Sequence, residues 1–256
     1  MSLRPLLDIA AENERLHALV GEVRAASGGS PIEVGASTTL RPLLLAALLD
    51  DDRGLAGRPV LLVSADDRSA RDLAADLRAY LAPRRVRFYP SRGTGYASHV
   101  TPPPHLVGLR IDALDSLREG DDDAIVVASA TALAEAVPDA SLRPAGFTLS
   151  CGEEVDLATV SADLVAAGYE RVEQVTERGQ FAVRGGILDV FPATEERAVR
   201  IELFGDEIES MRWFSTFTQR SLGDAERVEL APAAELDAEH RELAELAAME
   251  AAEEGR

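Results

Sequence analysis

Residues 171–191 read Arg-Val-Glu-Gln-Val-Thr-Glu-Arg-Gly-Gln-Phe-Ala-Val-Arg-Gly-Gly-Ile-Leu-Asp-Val-Phe, and this stretch decides the fold of the second half of the chain. Apolar residues recur with a period of two, which indicates β-strands. A turn at Arg178-Gly179 would make an antiparallel hairpin with Glu173 opposite Arg184. That register predicts one face with Arg171, Glu173, Ala182 and Arg184, and an apolar face with Val172, Phe181 and Val183.

Further strands are predicted on both sides of this hairpin. Residues 187–191, 199–204 and 208–214 alternate in the same way and are separated by glycine and proline. A short strand at residues 147–150 and a helix at residues 157–167 precede them. Strand following strand, with one helix, predicts a small α+β domain with an antiparallel sheet.

The first half of the chain has a different pattern. Strands predicted at residues 32–34, 60–63, 86–89 and 124–128 alternate with helical segments. Such alternation predicts a parallel sheet covered by helices, with residues 60–63 as a fully buried strand. The fold class is therefore α/β, with a parallel-sheet domain at residues 1–145 followed by the α+β domain at residues 146–222. Residues 223–256, rich in alanine and glutamate, are predicted to form a helical acidic tail.

Charge and composition exclude several classes of function. The 256 residues carry a net charge of −19, from 26 basic and 45 acidic residues, so we expect weak nonspecific binding to DNA. No apolar run is long enough to span a membrane. Cys151 is the single cysteine, which excludes an intrachain disulfide and predicts a cytoplasmic location. The four histidines show no spacing typical of a metal site, so no metal is expected.

Residues 35–39, Gly-Ala-Ser-Thr-Thr, lie where a phosphate-binding loop would lie, after a predicted strand and before a helix. A P-loop needs a lysine for the β- and γ-phosphates, but all 26 basic residues of this chain are arginine. We therefore interpret Gly35, Ser37, Thr38 and Thr39 as a degenerate, non-functional nucleotide site, and helix capping as the simpler role for the hydroxyls.

No constellation of catalytic residues can be identified, and no cofactor is expected. The predicted hairpin face with Arg171 and Arg184 allows two interpretations. It is either a solvated face with a weak Arg184–Glu173 ion pair or a recognition surface, because arginine is favoured at protein interfaces. The pattern alone leaves both open and favours the solvated face.

Four segments resemble one known family. They are residues 168–175, residues 178–192, residues 199–212 and residues 218–221. Together they are similar to the UvrA-interaction domain of bacterial transcription-repair coupling factors, and the excision repair protein UvrB carries a related domain. The resemblance implies that residues 1–145 correspond to UvrB-like domain 1a, residues 146–222 to UvrB domain 2 and residues 223–256 to the start of domain 1b. The coupling factors fit better than UvrB, because UvrB needs a working P-loop.

The resemblance also implies a function. It predicts a non-enzymatic module of nucleotide excision repair that recruits UvrA to stalled RNA polymerase. The implied UvrA-binding residues are Arg171, Arg184, Ile187 and Phe191. RNA polymerase and DNA would be contacted only through downstream domains, which we expect to be missing from a truncated chain. Two alternatives stay open: a piece of an ATP-dependent helicase that keeps nucleotide or DNA binding, and a scaffold without a partner.

Overall fold

The structure is a computed structural model that describes residues 2–26, 31–50, 55, 58–93, 102–118, 123–237, 240 and 243. The chain divides into two compact units. The first comprises Met1–Ser91 and Ala113–Ala134, and the second comprises Arg92–Asp112 and Glu135–Arg256. The predicted α/β class, with a parallel sheet followed by an antiparallel β domain, is confirmed. The predicted domain boundaries at residues 145 and 222 stay predictions.

The helices and strands are numbered in chain order. The helices are α1 Pro5–Ala11, α2 Glu14–Ala25, α3 Arg41–Leu48, α4 Asp67–Leu81, α5 Pro104–Arg118, α6 Ala130–Leu133 and α7 Leu157–Ala166. The strands are β1 Val60–Ser64, β2 Val86–Tyr89, β3 Ile125–Ser129, β4 Phe147–Ser150, β5 Glu170–Arg171, β6 Gln180–Arg184, β7 Ile187–Phe191, β8 Ala198–Phe204, β9 Glu207–Phe214, β10 Ser221–Ala225 and β11 Arg227–Leu230.

The first unit is built on a three-stranded parallel sheet in the order β1-β3-β2. All five residues of the central strand β3 are buried, as expected for a strand covered on both faces. Helix α4 starts after Asp66, whose carboxylate accepts a hydrogen bond from the Ser69 amide at 2.8 Å. Its apolar stripe ends in Leu77 and Leu81, which are buried as the spacing predicts.

Asp67 connects the start of α4 to the carboxyl ends of the two neighbouring strands. Its carboxylate accepts hydrogen bonds from the Ser129 hydroxyl at 2.6 Å and from the Ser91 amide at 3.1 Å. Burial disfavours the charged form, but these hydrogen bonds outweigh it, so the pKa of Asp67 lies below its usual value. Asp67 therefore stabilises the first unit in its ionised form.

Two predictions for the first unit are wrong. Residues 32–34 form no strand: they are exposed, and among the residues that the structure describes β1 pairs only with β3. The predicted buried strand at residues 60–63 is β1, the edge of the sheet, where Leu61 and Val63 are exposed. An apolar run shows that a segment is a strand, but it does not show how many neighbours the strand has.

The second unit contains a six-stranded sheet in the order β10-β9-β8-β7-β6-β5 and a two-stranded sheet of β4 and β11. Its main core lies on one face of the larger sheet, where Val160 and Leu164 of α7 join Phe181, Leu188 and Ile201. A smaller cluster on the opposite face contains Val172, Val175, Ala182, Phe191, Ala198 and Phe214. This smaller cluster covers one end of the opposite face.

The predicted turn at Arg178-Gly179 is wrong. The hairpin is formed by β6 and β7 around Gly185-Gly186, and it pairs Arg184 with Ile187 rather than with Glu173. Strand β5 has two residues and runs parallel to β6. Residues 172–179 instead form a loop, and its Val172 and Val175 pack against the face of the sheet opposite the main core. The Gln180 side-chain oxygen accepts hydrogen bonds from the backbone N–H groups of Thr176 and Glu177 in this loop.

Gly168 and Tyr169 hold the end of α7 against the segment after β11. Gly168 has φ +94°, and a Cβ at this position would lie 2.4 Å from the Ala234 Cβ. The Tyr169 hydroxyl donates to the Ala231 carbonyl at 2.7 Å and accepts from the Ala193 amide at 3.2 Å. Burial raises the pKa of this hydroxyl. The close approach explains why a glycine precedes the tyrosine.

A network of buried ion pairs also belongs to the second unit. Arg110 is 1% exposed and contacts Glu135 at 2.8 Å and Glu235 at 2.9 Å. Arg92 contacts the same Glu235 carboxylate at 2.7 Å, and its backbone N–H donates to Glu135. Two arginines thus share two carboxylates, and this arrangement compensates for the desolvation of the buried guanidinium.

The predicted helical tail at residues 223–256 is wrong over its first part. Residues 223–225 complete β10, and β11 follows at Arg227–Leu230. Strand β11 pairs with β4 and adds Val228 and Leu230 to the main core. Most of the segment expected to be helical, beyond residue 237, lies outside the described residues.

Candidate protein-docking face

One face of the six-stranded sheet carries a set of charged side chains. We call it the arginine face, and it comprises Arg184, Ile187, Asp189, Arg200, Glu202 and Arg212. The strand register aligns these residues, because Asp189 pairs with Arg200 and Ile187 pairs with Glu202. Arg200 in turn pairs with Arg212. Paired residues of adjacent strands lie on the same side of a sheet, so the six side chains form one surface.

Strand alternation explains why these residues are on one face. On β8, Val199 and Ile201 point into the main core, so Arg200 and Glu202 between them point to the opposite side. The same alternation on β7 buries Leu188 in the core. A rigid sheet therefore holds the charged groups in fixed positions.

Asp189 is the centre of the arginine face. Its side chain is 4% exposed and accepts two hydrogen bonds from Arg200, from Nε at 2.7 Å and from Nη2 at 2.8 Å. Hydrogen bonding to Asp189 raises the pKa of Arg200, whose guanidinium also lies over the Phe214 ring at 5.0 Å. Arg184 approaches the same carboxylate at 3.7 Å. The buried carboxylate thus orients the Arg200 guanidinium by two hydrogen bonds and attracts that of Arg184.

Arg212 and Glu202 form a second ion pair on the arginine face. Arg212 contacts Glu202 at 2.6 Å, and the Ser210 hydroxyl donates to the same carboxylate at 3.3 Å. Arg200 and Arg212 are direct cross-strand neighbours, which would be unfavourable for two like charges without carboxylates. Glu202 and Asp189 supply the opposite charges.

The exposed part of this surface is mainly cationic and apolar. The side chains of Arg184 and Arg212 are 55% and 42% exposed, whereas the Asp189 carboxylate is buried. Ile187 lies beside Arg184 across the hairpin and is also exposed. Guanidinium groups beside an aliphatic side chain can bind an acidic protein surface by two-pronged hydrogen bonding and apolar contact.

The structure brings only part of the predicted site together. Arg184 and Ile187 are neighbours on the arginine face. Phe191 is half-buried at the end of the sheet that the smaller cluster covers. The Arg178 guanidinium lies over the Phe191 ring at 5.8 Å. Arg171 is exposed but pairs with Phe181, which points into the main core. The prediction that Arg171 and Arg184 share a face is therefore wrong in geometry.

Four charged residues of the face are absent from the predicted site: Asp189, Arg200, Glu202 and Arg212. The period-two alternation could have identified Arg200, because it stands between Val199 and Ile201. The same alternation places Asp189 between Leu188 and Val190, but the sequence does not show that its carboxylate is buried beside Arg184 and Arg200.

Two highly exposed phenylalanines lie at opposite ends of the arginine face. Phe204 ends β8, two residues beyond Glu202, and is 79% exposed. Phe217 lies in the loop between β9 and β10 and is 96% exposed. These side chains add apolar surface at both ends of the charged rows.

The predicted nucleotide site lies in the first unit. Gly35, Ser37, Thr38 and Thr39 are exposed, and a short 3-10 turn at Thr38–Leu40 leads directly into α3. Ser37 occupies the N-cap position of this turn, but its side chain makes no capping hydrogen bond. Its hydroxyl lies 3.4 Å from that of Thr39. The capping role expected for Ser37 is therefore wrong.

The part of the chain that the structure describes contains no group of three or more histidine, cysteine, aspartate or glutamate side chains that could hold a metal ion. None of its helices combines the length and the apolar character that crossing a membrane requires.

Part of the second unit is similar to a known family. Residues 147–236 match the family model of the UvrB interaction domain. The chain is 38% identical over 202 residues to a transcription-repair-coupling factor of Mycobacterium bovis, and the match covers 77% of this chain and 16% of that protein. It is 31% identical over 203 residues to the transcription-repair-coupling factor of Bacillus subtilis, covering 79% and 17%.

The chain is also similar to UvrABC system protein B. UvrABC system protein B of Thermosipho africanus is 30% identical over 192 residues, with 70% of this chain and 29% of that protein covered. The chain thus spans less than a third of the length of each relative named here. Its β4–β11 region, with the arginine face, lies within residues 147–236. These residues match the UvrB interaction domain family model, and most of the chain is similar to transcription-repair-coupling factors and UvrABC system protein B.

Proposed function

We propose that this chain binds UvrA through the arginine face and acts as a recruitment module in nucleotide excision repair. The observation that carries the proposal is the exposure of Arg184 and Arg212 on a sheet that the UvrB interaction domain family model covers. The buried Asp189 carboxylate holds Arg200 by two hydrogen bonds, so this guanidinium loses little conformational entropy when a partner docks.

The finer proposal is that UvrA is recruited to RNA polymerase stalled on damaged DNA. The relatives named transcription-repair-coupling factor support it, since their name joins transcription to repair. Contact with RNA polymerase and DNA would require parts of those longer relatives that this chain does not match. In this proposal the chain supplies UvrA binding and no catalytic step.

Calorimetric titration with purified UvrA tests the proposal. The full chain should bind, and Arg184→Ala and Arg212→Ala should each weaken binding about tenfold or more, because both remove exposed charge from the face. Arg227→Ala is the matched control, since Arg227 is exposed on β11, outside the arginine face. Equal loss in all three variants, or absence of binding by the unsubstituted chain, would contradict the proposal.

Arg171→Ala belongs in the same series. Arg171 is proposed from the family resemblance, but the register places it with the core-facing Phe181 at the β5 edge. Loss of affinity would show that the docking surface continues around this edge. Unchanged affinity would restrict the surface to β6–β9.

The alternative is a nucleotide-binding piece of a helicase, and titration with Mg-ATP separates it from the proposal. The chain has no lysine for the phosphates, and exposed backbone N–H groups at a short turn bind anions weakly. We expect no heat of binding. A micromolar dissociation constant would favour the alternative.

A further inference from the structure

The loop between β9 and β10 presents a single aromatic side chain to solvent. Phe217 is 96% exposed, which makes it the most exposed large hydrophobic residue in the described part of the chain. A scattered apolar residue on a surface is ordinary by itself. The loop that carries Phe217, however, has two further features that are not ordinary.

First, hydrogen bonds close the loop on both sides of Phe217. The Ser215 amide donates to the Arg220 carbonyl at 3.0 Å, and the Gln219 amide donates to the Ser215 carbonyl at 2.7 Å. The Thr218 amide donates to the Ser215 hydroxyl at 3.2 Å. The Gln219 side chain donates to the Thr216 carbonyl at 2.8 Å. Four hydrogen bonds within six residues hold the loop backbone that carries Phe217.

Second, Gln219 has a strained backbone. Its φ is +58°, and it is the only non-glycine residue with positive φ among those described. L-residues pay a steric cost in this left-handed region, and such strain is retained mainly at binding and active sites. The side-chain hydrogen bond to Thr216 ties this conformation to the exposed loop. Both features keep the backbone at Phe217 in a defined conformation.

The loop is continuous with the arginine face. The Gln219 side-chain oxygen lies 3.5 Å from Arg200 Nη2, and Arg200 also covers the ring of Phe214, the last residue of β9. From Phe214 to Ser210, which pairs with Glu202, the strand spans four residues, or about 13 Å. Phe217 and the arginines therefore fit within one docking surface of ordinary size.

We propose that Phe217 is the aromatic anchor of this surface and enters an apolar pocket of UvrA beside acidic groups that bind Arg184 and Arg212. This inference rests on the proposed function and adds the apolar contact that determines affinity. Because the loop backbone is already held in place, docking of the ring costs only its side-chain rotamer freedom, which is small beside the apolar burial that an aromatic ring gains. Phe204 lacks such a loop, since it borders a turn at Gly205.

The experiment measures UvrA affinity of the full chain and of Phe217→Ala, Phe217→Leu and Val165→Ala by calorimetry. Phe217→Ala should weaken binding at least tenfold, and Phe217→Leu should recover part of the loss. Val165 is the control, because it is an exposed apolar residue on α7, which covers the other face of the sheet. Thermal unfolding of Phe217→Ala should match that of the unsubstituted chain, since the ring makes almost no buried contact.

The outcomes separate this inference from the proposed function. If Arg184→Ala weakens binding but Phe217→Ala does not, the anchor is refuted and the docking face stands. If the unsubstituted chain does not bind UvrA, both fail. An equal loss in Val165→Ala refutes the anchor, as it would show nonspecific apolar contact. Sedimentation must also show the same mass for Phe217→Ala; a change would assign the ring to contact with a second copy instead.

Discussion

The carboxylate of Asp189 and the guanidinium of Arg200 form a two-pronged ion pair across β7 and β8, with distances of 2.7 and 2.8 Å. Arg184 lies 3.7 Å from the same carboxylate but is far more exposed than Arg200. Two arginines on one aspartate therefore have different tasks. Arg200 neutralises a buried charge, whereas Arg184 presents its guanidinium to solvent.

Arg200→Ala should lower the free energy of unfolding by about 3 kcal/mol, because it leaves the buried Asp189 charge without its main partner. Arg184→Ala should lower it by less than about 0.5 kcal/mol, since its ion pair is longer and solvated. Urea unfolding monitored by Trp213 fluorescence measures both. Equal effects of the two substitutions would contradict the division of tasks.

Tyr169→Phe should lower the free energy of unfolding by about 2 kcal/mol. The substitution leaves the Ala193 amide and the Ala231 carbonyl without their hydroxyl partner inside the core. Tyr80→Phe is the control, because the Tyr80 hydroxyl makes no hydrogen bond within the described residues and should cost less than about 0.5 kcal/mol. Denaturant unfolding of both variants provides the measurement, and an equal cost would show that the Tyr169 hydrogen bonds contribute little.

Gly168→Ala should be more destabilising than Gly205→Ala. Both glycines have positive φ, +94° and +64°, so alanine is strained at either position. A Cβ at position 168 also meets Ala234 at 2.4 Å, whereas nothing lies within 4 Å of one at position 205. We expect a loss of about 1 kcal/mol for Gly205→Ala and at least twice that for Gly168→Ala. Calorimetric melting compares them, and equal losses would show that residue 234 moves aside freely.

Asp67→Asn should change how stability depends on pH. The pKa of Asp67 is lowered in the folded chain, so its ionised form stabilises the fold above the unfolded pKa of about 4. This contribution is lost as the pH falls through the folded pKa. The difference in unfolding free energy between the unsubstituted chain and Asp67→Asn should therefore be constant above about pH 5 and shrink at lower pH.

Ser129→Ala is the matched test of the same relationship. It removes the hydroxyl that donates to Asp67 at 2.6 Å and should reproduce part of the pH effect. Urea unfolding at a series of pH values from neutral to strongly acidic measures both variants. A constant difference across the whole series for Asp67→Asn would contradict the role of its ionised carboxylate.

Periodicity predicts the elements that bury a regular stripe. The alternating strands β7, β8 and β9 lie within one residue of their predicted positions. Each strand buries a regular row of apolar residues in the main core, and the period of two in the sequence marks that row. The α/β class follows from the alternation of strands and helices in the first half of the chain.

The hairpin shows where local pattern fails. Arg178-Gly179 and Gly185-Gly186 are both favourable turn sequences. A hairpin around the first would pair Arg184 with Glu173, whereas the observed hairpin around the second pairs it with Ile187. The decision depends on Gln180, whose side chain binds the backbone at Thr176 and Glu177 and prevents that segment from pairing as a strand. Such hydrogen bonds from a side chain to the backbone leave no periodic pattern in the sequence, so periodicity cannot predict them.

The candidate site shares this limit. Arg184 and Ile187 could be predicted because they flank the hairpin turn, but the ion pair of Asp189 with Arg200 depends on the register between β7 and β8. A shift of one residue would place Arg200 in the core, so only the folded sheet shows which carboxylate it meets.

The ion pairs of Arg110 join segments that are far apart in the chain. Arg110 and Glu235 are 125 residues apart, and Arg92 and Glu235 are 143 residues apart. Closing loops of this length is entropically costly before the sheet between them has formed, so these contacts should be absent from the transition state for folding. Loss of Arg110 should then accelerate unfolding and leave the folding rate nearly unchanged. The Arg110 ion pairs would therefore slow unfolding and so lengthen the lifetime of the folded second unit.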